Sequence, residues 1–150
     1  MKKFTRQKMI LDLMENYEIE TQEELLNLLL ERDINITQAT ISRDIKELRL
    51  VKVLVSEGKY KYATIDSQHK MINQRLIEIL KASVITVEKA ENLIVIRTIP
   101  ETAQVCASTI EKYKIEGVIG TISGNDTIFV AIKEVNMIDS ILESIVKLLK

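Results

Sequence analysis

A single cysteine, Cys106, cannot close an internal disulfide, and a single histidine, His69, with no acidic cluster beside it, provides neither a zinc site nor a catalytic dyad. One proline and four glycines leave little room for long disordered stretches. No apolar run is long enough to span a bilayer and no secretory leader is recognisable, so the expected location is cytoplasmic, away from any membrane. No convergent set of nucleophile, base and oxyanion donor can be assembled. A catalytic role, a metal and a cofactor are therefore all expected to be absent. What remains is a globular composition, 46% hydrophobic and 29% charged, spread over 150 residues. That length holds one medium domain or two small ones, and small domains bury little surface, which favours self-association.

The net charge of -1 does not by itself favour a nucleic-acid partner. Its distribution does. Lys2, Lys3, Arg6 and Lys8 open the chain with no acid among them, and Arg43, Lys46, Arg49, Lys52, Lys59 and Lys61 outnumber Asp44, Glu47 and Glu57 between Thr37 and Lys61. The same region has helical periodicity. Met9, Ile10, Leu13 and Met14 recur at three- and four-residue spacing within 5–16. Thr21 with Glu24 forms a capping box ahead of Leu25, Leu28 and Leu29, and Thr37 caps a third helix carrying Ile41, Ile45 and Leu48. After Leu50 the period falls to two, through Val51, Val53 and Val55, a Glu57-Gly58 turn, then Tyr60 and Tyr62. Three helices and a hairpin make a winged helix-turn-helix over 1–65. The polar stretch 66–72 is expected to be a linker, with a helix from about Met71 to Ala82. Within 73–150, strands at 84–87 and 93–98, a helix at 102–113, strands at 118–122 and 127–132, and a helix at 136–149 predict an antiparallel sheet with helices on one face. The fold class is α+β, a DNA-binding half followed by an α/β sandwich.

On the third helix the apolar residues share one face and Gln38, Ala39, Ser42, Arg43 and Lys46 share the other. A glutamine can bond adenine, an arginine guanine, an alanine can touch the thymine methyl, and serine or lysine can hold phosphate; the alternative is an ordinary solvated surface. Lys2, Lys3 and Arg6 could add phosphate contacts. Gly120 to Thr127 contains Gly124, Asn125 and Asp126, which can take the positive φ values of a tight turn. Asp126 could receive a guanidinium there if a partner subunit excluded water. Cys106 falls on the apolar side of its helix and reads as a small core residue. A rival reading, a regulatory module of an enzyme whose helical half binds protein, is distinguished by the steep salt dependence of DNA binding.

The segment Thr37-Gln-Ala-Thr-Ile-Ser-Arg-Asp-Ile-Lys-Glu-Leu48 with Val51-Lys-Val53 resembles the DNA-binding signature of the bacterial arginine repressor family. Pro100-Glu-Thr-Ala-Gln104 and Gly120-Thr-Ile-Ser-Gly-Asn-Asp-Thr-Ile128 resemble two further segments of that family, so the likeness covers nearly the whole chain. The resemblance implies a transcriptional regulator of arginine biosynthesis or catabolism genes. It would be a trimer or hexamer joined through the second half, bind AT-rich palindromic operators, and use L-arginine as corepressor. It also implies DNA contact by Ser42 and Arg43, with Gln38 and Thr40, and an arginine pocket at Ala103, Gln104, Asn125 and Asp126. The family's acidic pair is Asn125-Asp126 here, one carboxylate fewer. This raises the alternative of a paralogue with weak or absent arginine sensing that acts with a partner family member.

Overall fold

Two threonines set the helix starts of the first half. The Thr21 hydroxyl accepts the Glu24 amide at 3.1 Å ahead of α2 (Gln22–Leu30), and the Thr37 hydroxyl accepts the Thr40 amide at 3.3 Å ahead of α3 (Gln38–Glu47). The Glu24 carboxylate reaches back one residue further than a capping box requires, to the Glu20 amide at 2.8 Å. A first helix, α1 (Lys3–Asn16), precedes them. α3 ends in a Schellman motif. Arg49, at φ 51°, turns the chain so that the Leu50 amide donates to Ile45 O (3.0 Å) and the Arg49 amide to Lys46 O (3.1 Å). Leu50 is thereby delivered into the core and the chain enters the hairpin β1 (Val51–Ser56) and β2 (Lys59–Ala63), turning at Gly58 with φ 71°. Ile10, Leu13, Ile19, Leu25, Leu29, Ile41, Ile45 and Tyr62 form one buried cluster. The Tyr62 amide donates to Ile19 O at 2.8 Å, which ties the hairpin to the α1–α2 connection.

The computed structural model describes residues Met1–Lys150, which divide into two units, Met1–Met71 and Ile72–Lys150. The stretch 66–72, expected as a linker, is helical, and the division between the two units falls within it. α4 (Ile65–Ser83) runs through it, started by the Thr64 hydroxyl accepting the Ser67 amide at 3.1 Å, and His69 lies exposed on this helix. None of the helices is long and apolar enough to cross a membrane.

The second unit is a four-stranded antiparallel sheet of β3 (Val84–Ala90), β4 (Leu93–Thr98), β5 (Val118–Ser123) and β6 (Thr127–Ile132), in the order β3-β4-β6-β5. α5 (Ala103–Lys112) and α6 (Ile138–Leu149), the latter entered through a 3-10 turn at Val135–Met137, cover one face. Ile94, Ile96, Ile128, Val130 and Ile132 point into that layer, against Cys106, Ile110, Ile141 and Ile145. By the two-residue alternation of strands, Val95, Ile122 and Phe129, which are aligned across β4, β6 and β5, point to the uncovered face. Both outer strands carry a register shift, between Val84 and Thr86 in β3 and between Val118 and Gly120 in β5.

Gly117 sits at φ 90°, and a Cβ built there would come within 2.7 Å of the Met137 methyl. Gly117→Ala should destabilise the second unit by about 1–3 kcal/mol, chiefly through backbone strain, read as a lowered thermal midpoint with unchanged secondary structure.

Candidate nucleic-acid interface and effector cluster

The outer face of α3 is built by subtraction. Ile41 and Ile45 are anchored in the core, and helical geometry then leaves Gln38, Ala39, Arg43 and Lys46 exposed and Ser42 half-buried. Thr40 is half-buried and its hydroxyl lies 3.0 Å from that of Thr37, so it works as part of the cap. Neither Arg43 nor Lys46 joins an ion pair. Two unneutralised cations beside a glutamine, an alanine and a serine form a row able to meet phosphate oxygens and base edges. On the hairpin, Lys52 is exposed and stands 5.3 Å from the Tyr62 ring, while Lys59 is paired with Glu18 at 3.2 Å.

The flank of α3 facing α1 is different in kind. Asp44 is buried, and Arg6 grips it with Nε on Oδ2 at 2.6 Å and Nη2 on Oδ1 at 3.1 Å. Gln7 Nε2 donates to Asp44 Oδ1 at 3.0 Å and to Glu47 Oε2 at 2.8 Å, and Lys3 Nζ lies 2.6 Å from the same Glu47 oxygen. Burial pushes the Asp44 carboxyl up, but the bonds from Arg6 and Gln7 outweigh it and hold the group below its ordinary value. Glu47 is lowered too, by the bonds from Lys3 and Gln7. Lys3 and Arg6, read from the sequence as possible phosphate ligands, therefore point at the protein's own acids. Their partners lie 38 or more residues away, beyond the reach of local pattern reading.

In the second unit, backbone bonds bring the turn after β5 against the loop before α5. Asp126 O accepts the Thr98 amide at 2.8 Å and Asn125 O accepts the Glu101 amide at 2.9 Å, while the Gly124 amide donates to Thr127 O at 2.8 Å. These bonds close the turn with none of Gly124, Asn125 or Asp126 at positive φ, contrary to expectation; the left-handed residue is Glu101, at φ 69°, in the facing loop. Gln104 and Asn125 are exposed, Asp126 is half-buried, and the Ala103 side chain is fully buried in the core, so only its backbone can serve a pocket. The Asp126 carboxylate already has partners. Arg97 Nη2 lies 2.9 Å from Oδ2, and the Thr127 hydroxyl donates to Oδ1 at 2.9 Å. Arg97 was not singled out in the sequence, although strand register places it opposite Thr127, next to Asp126. Burial pushes the Cys106 thiol up despite bonds to Ser83 and Thr102, which makes it a poor nucleophile.

Comparison with known proteins yields two family models. One, described as the arginine repressor DNA binding domain, matches residues 1–70, and the other, the arginine repressor C-terminal domain, matches 80–147. Among curated relatives, the chain is similar to the arginine repressor of Alkaliphilus oremlandii, 48% identical over 99% of both chains. It is also similar to that of Finegoldia magna, 43% identical over 100% of both, and to that of Caldicellulosiruptor bescii, 46% identical over 95% of this chain and 94% of the relative.

Because the Asp44 carboxyl is lowered in the folded state, its stabilisation is complete above the unfolded carboxylate value of about 3.9 and fades as pH falls through the folded one. Denaturant titrations between pH 6 and roughly pH 2–3 should show the first unit losing stability at the acid end, and Asp44→Asn should flatten that dependence.

Proposed function

The chain belongs to the arginine repressor family, and we propose from this premise that it binds duplex DNA through the outer row of α3 and regulates arginine biosynthesis or catabolism genes in the cytoplasm, with L-arginine as corepressor. The observation that carries the reading is the pair of unpaired cations, Arg43 and Lys46, beside Gln38 and Ser42 on an exposed helix face next to a hairpin. Arg43 is the base-reading residue, and Gln38 and Ser42 are its neighbours in the groove. Thr40 contributes through the cap and Lys46 holds phosphate. The target is an AT-rich palindrome, whose two-fold symmetry requires an even set of these units.

Assembly is proposed to use the uncovered sheet face. Ile122 is 71% exposed and Phe129 45% exposed, and both sit in register with Val95. Such a row is costly to leave in water, and a second copy of the chain covers it, building a trimer and then a hexamer. Arginine is proposed to bind where Gln104, Asn125, Asp126 and the Ala103 backbone converge. Support comes from the Asp126 carboxylate, which accepts the guanidinium of Arg97 at 2.9 Å and so has the chemistry that such a ligand requires. The amides of the first turn of α5 are suited to the ligand's carboxylate. Arginine can raise DNA affinity only as far as it binds the DNA-competent assembly better than the incompetent one, and bridging subunits provides that difference.

A second reading keeps the DNA function and removes the sensing. Asn125 is exposed and neutral where the family resemblance has an acid, so the ligand meets one carboxylate, and charge-assisted bonds are about twice as strong as neutral ones. This version is a paralogue acting with a partner family member. Calorimetry giving tight arginine binding to the unmodified chain rejects it.

In a mobility-shift titration on an AT-rich palindrome, Arg43→Ala should lose about 1–3 kcal/mol of specific binding while light scattering shows the same oligomer; unchanged operator affinity counts against the assignment. Asp126→Asn should make operator affinity insensitive to added arginine without lowering it in the absence of arginine. An arginine response equal to that of the unmodified chain would remove Asp126 from the pocket.

A further inference from the structure

Lys3 and Arg6 would be wasted as phosphate ligands in the arrangement described, because they are turned onto α3. Around that helix, at 100° per residue, Arg43 and Glu47 lie on adjoining rows one turn apart, close enough for a base and an acid to pair. They do not pair here. Glu47 Oε2 is held by Lys3 at 2.6 Å and Gln7 at 2.8 Å, and Asp44 is held by Arg6 and Gln7. The Gln7 carboxamide is the pivot, since its two protons serve the two acids separately.

We propose that Arg6 and Gln7 are positioning residues for DNA recognition: by holding Asp44 and Glu47 against α1, they fix the roll of α3 and keep its carboxylates away from Arg43. The proposal rests on the DNA-binding reading above. Its physical content is a choice of partner for Glu47. Bound to α1, it leaves the Arg43 guanidinium open to base edges or phosphate. Released, it finds Arg43 within reach, and DNA must then break an ion pair before it can bind. Arg6 makes the arrangement directional. Its planar fork matches the Asp44 carboxylate with two bonds, which a lysine cannot reproduce.

The test uses the full chain on the palindrome at several salt concentrations. Arg6→Lys should weaken specific binding roughly tenfold while the slope of log affinity against log salt stays that of the unmodified chain. A phosphate-contacting residue behaves the opposite way: lysine substitutes for arginine, and Arg6→Gln lowers the slope by about one. Gln7→Ala, a partly exposed position that should not threaten folding, is expected to weaken binding several-fold. In a Glu47→Gln background the same change should have a clearly smaller effect, because the exposed carboxylate within reach of Arg43 is gone and Asp44 is still held by Arg6. An undiminished Gln7→Ala loss in that background, or a salt slope lowered by one in Arg6→Gln, overturns the proposal. Arg43→Ala separates the two levels: if it leaves operator affinity unchanged the DNA-binding reading falls, and if it abolishes binding while Arg6 and Gln7 behave as phosphate or purely structural residues, only the positioning proposal falls.

Discussion

A carboxylate taken out of water must be paired, and Asp44 is the place where this chain accepts that condition. It sits with 1% exposure on the inner flank of α3, and its two oxygens are saturated by Arg6 and Gln7 of α1. Removing one partner from such a pair costs about 3–5 kcal/mol, because the other charge is left buried and unsatisfied. Ile10, Leu13 and Met14 of α1 share one buried cluster with Ile41 and Ile45 of α3, but apolar contact alone tolerates some rotation and sliding. The forked ion pair does not. It couples the side of α1 that faces inward to the side of α3 that faces outward, so the exposed row from Gln38 to Lys46 inherits its orientation from a contact made on the opposite flank of the helix.

The second unit relies on a different kind of constraint. Its core is almost wholly aliphatic, and its candidate effector residues are brought together by main-chain bonds. The carbonyls of Asn125 and Asp126 are tied to the amides of Glu101 and Thr98, so the turn and the helix entry keep their distance whatever side chains they carry. A change of side chain at Asn125 would therefore alter charge while leaving the backbone frame in place. Arg97 adds a further condition, because a guanidinium entering from outside meets a carboxylate that already holds one.

Periodicity made most elements readable. Four-and-three spacing marked α2 and α3, alternation marked the hairpin and the sheet strands, and Thr21 and Thr37 marked helix starts by their cap chemistry. It failed at 66–72, where the first turns of α4 expose most of their surface and carry no apolar stripe. The available signal there was Thr64, whose hydroxyl caps the helix, followed by Asp66 in the first turn. The roles of Arg6, Gln7 and Arg97 were invisible for another reason. Their partners are set by tertiary structure, and a basic amino terminus looks the same whether it faces phosphate or its own protein.

The two register shifts in the sheet fall on β3 and β5, its outermost strands, and the residue left between the shifted positions is an isoleucine in both, Ile85 and Ile119, 63% and 71% exposed. A bulge interrupts the ladder of free amides and carbonyls that would otherwise template another strand, and it twists the rim away from a flat approach. Rim-to-rim growth into a continuous ribbon is thereby discouraged, while the broad apolar side of the sheet stays open. The rims of this sheet are therefore poor seeds for the open-ended stacking that leads to fibres.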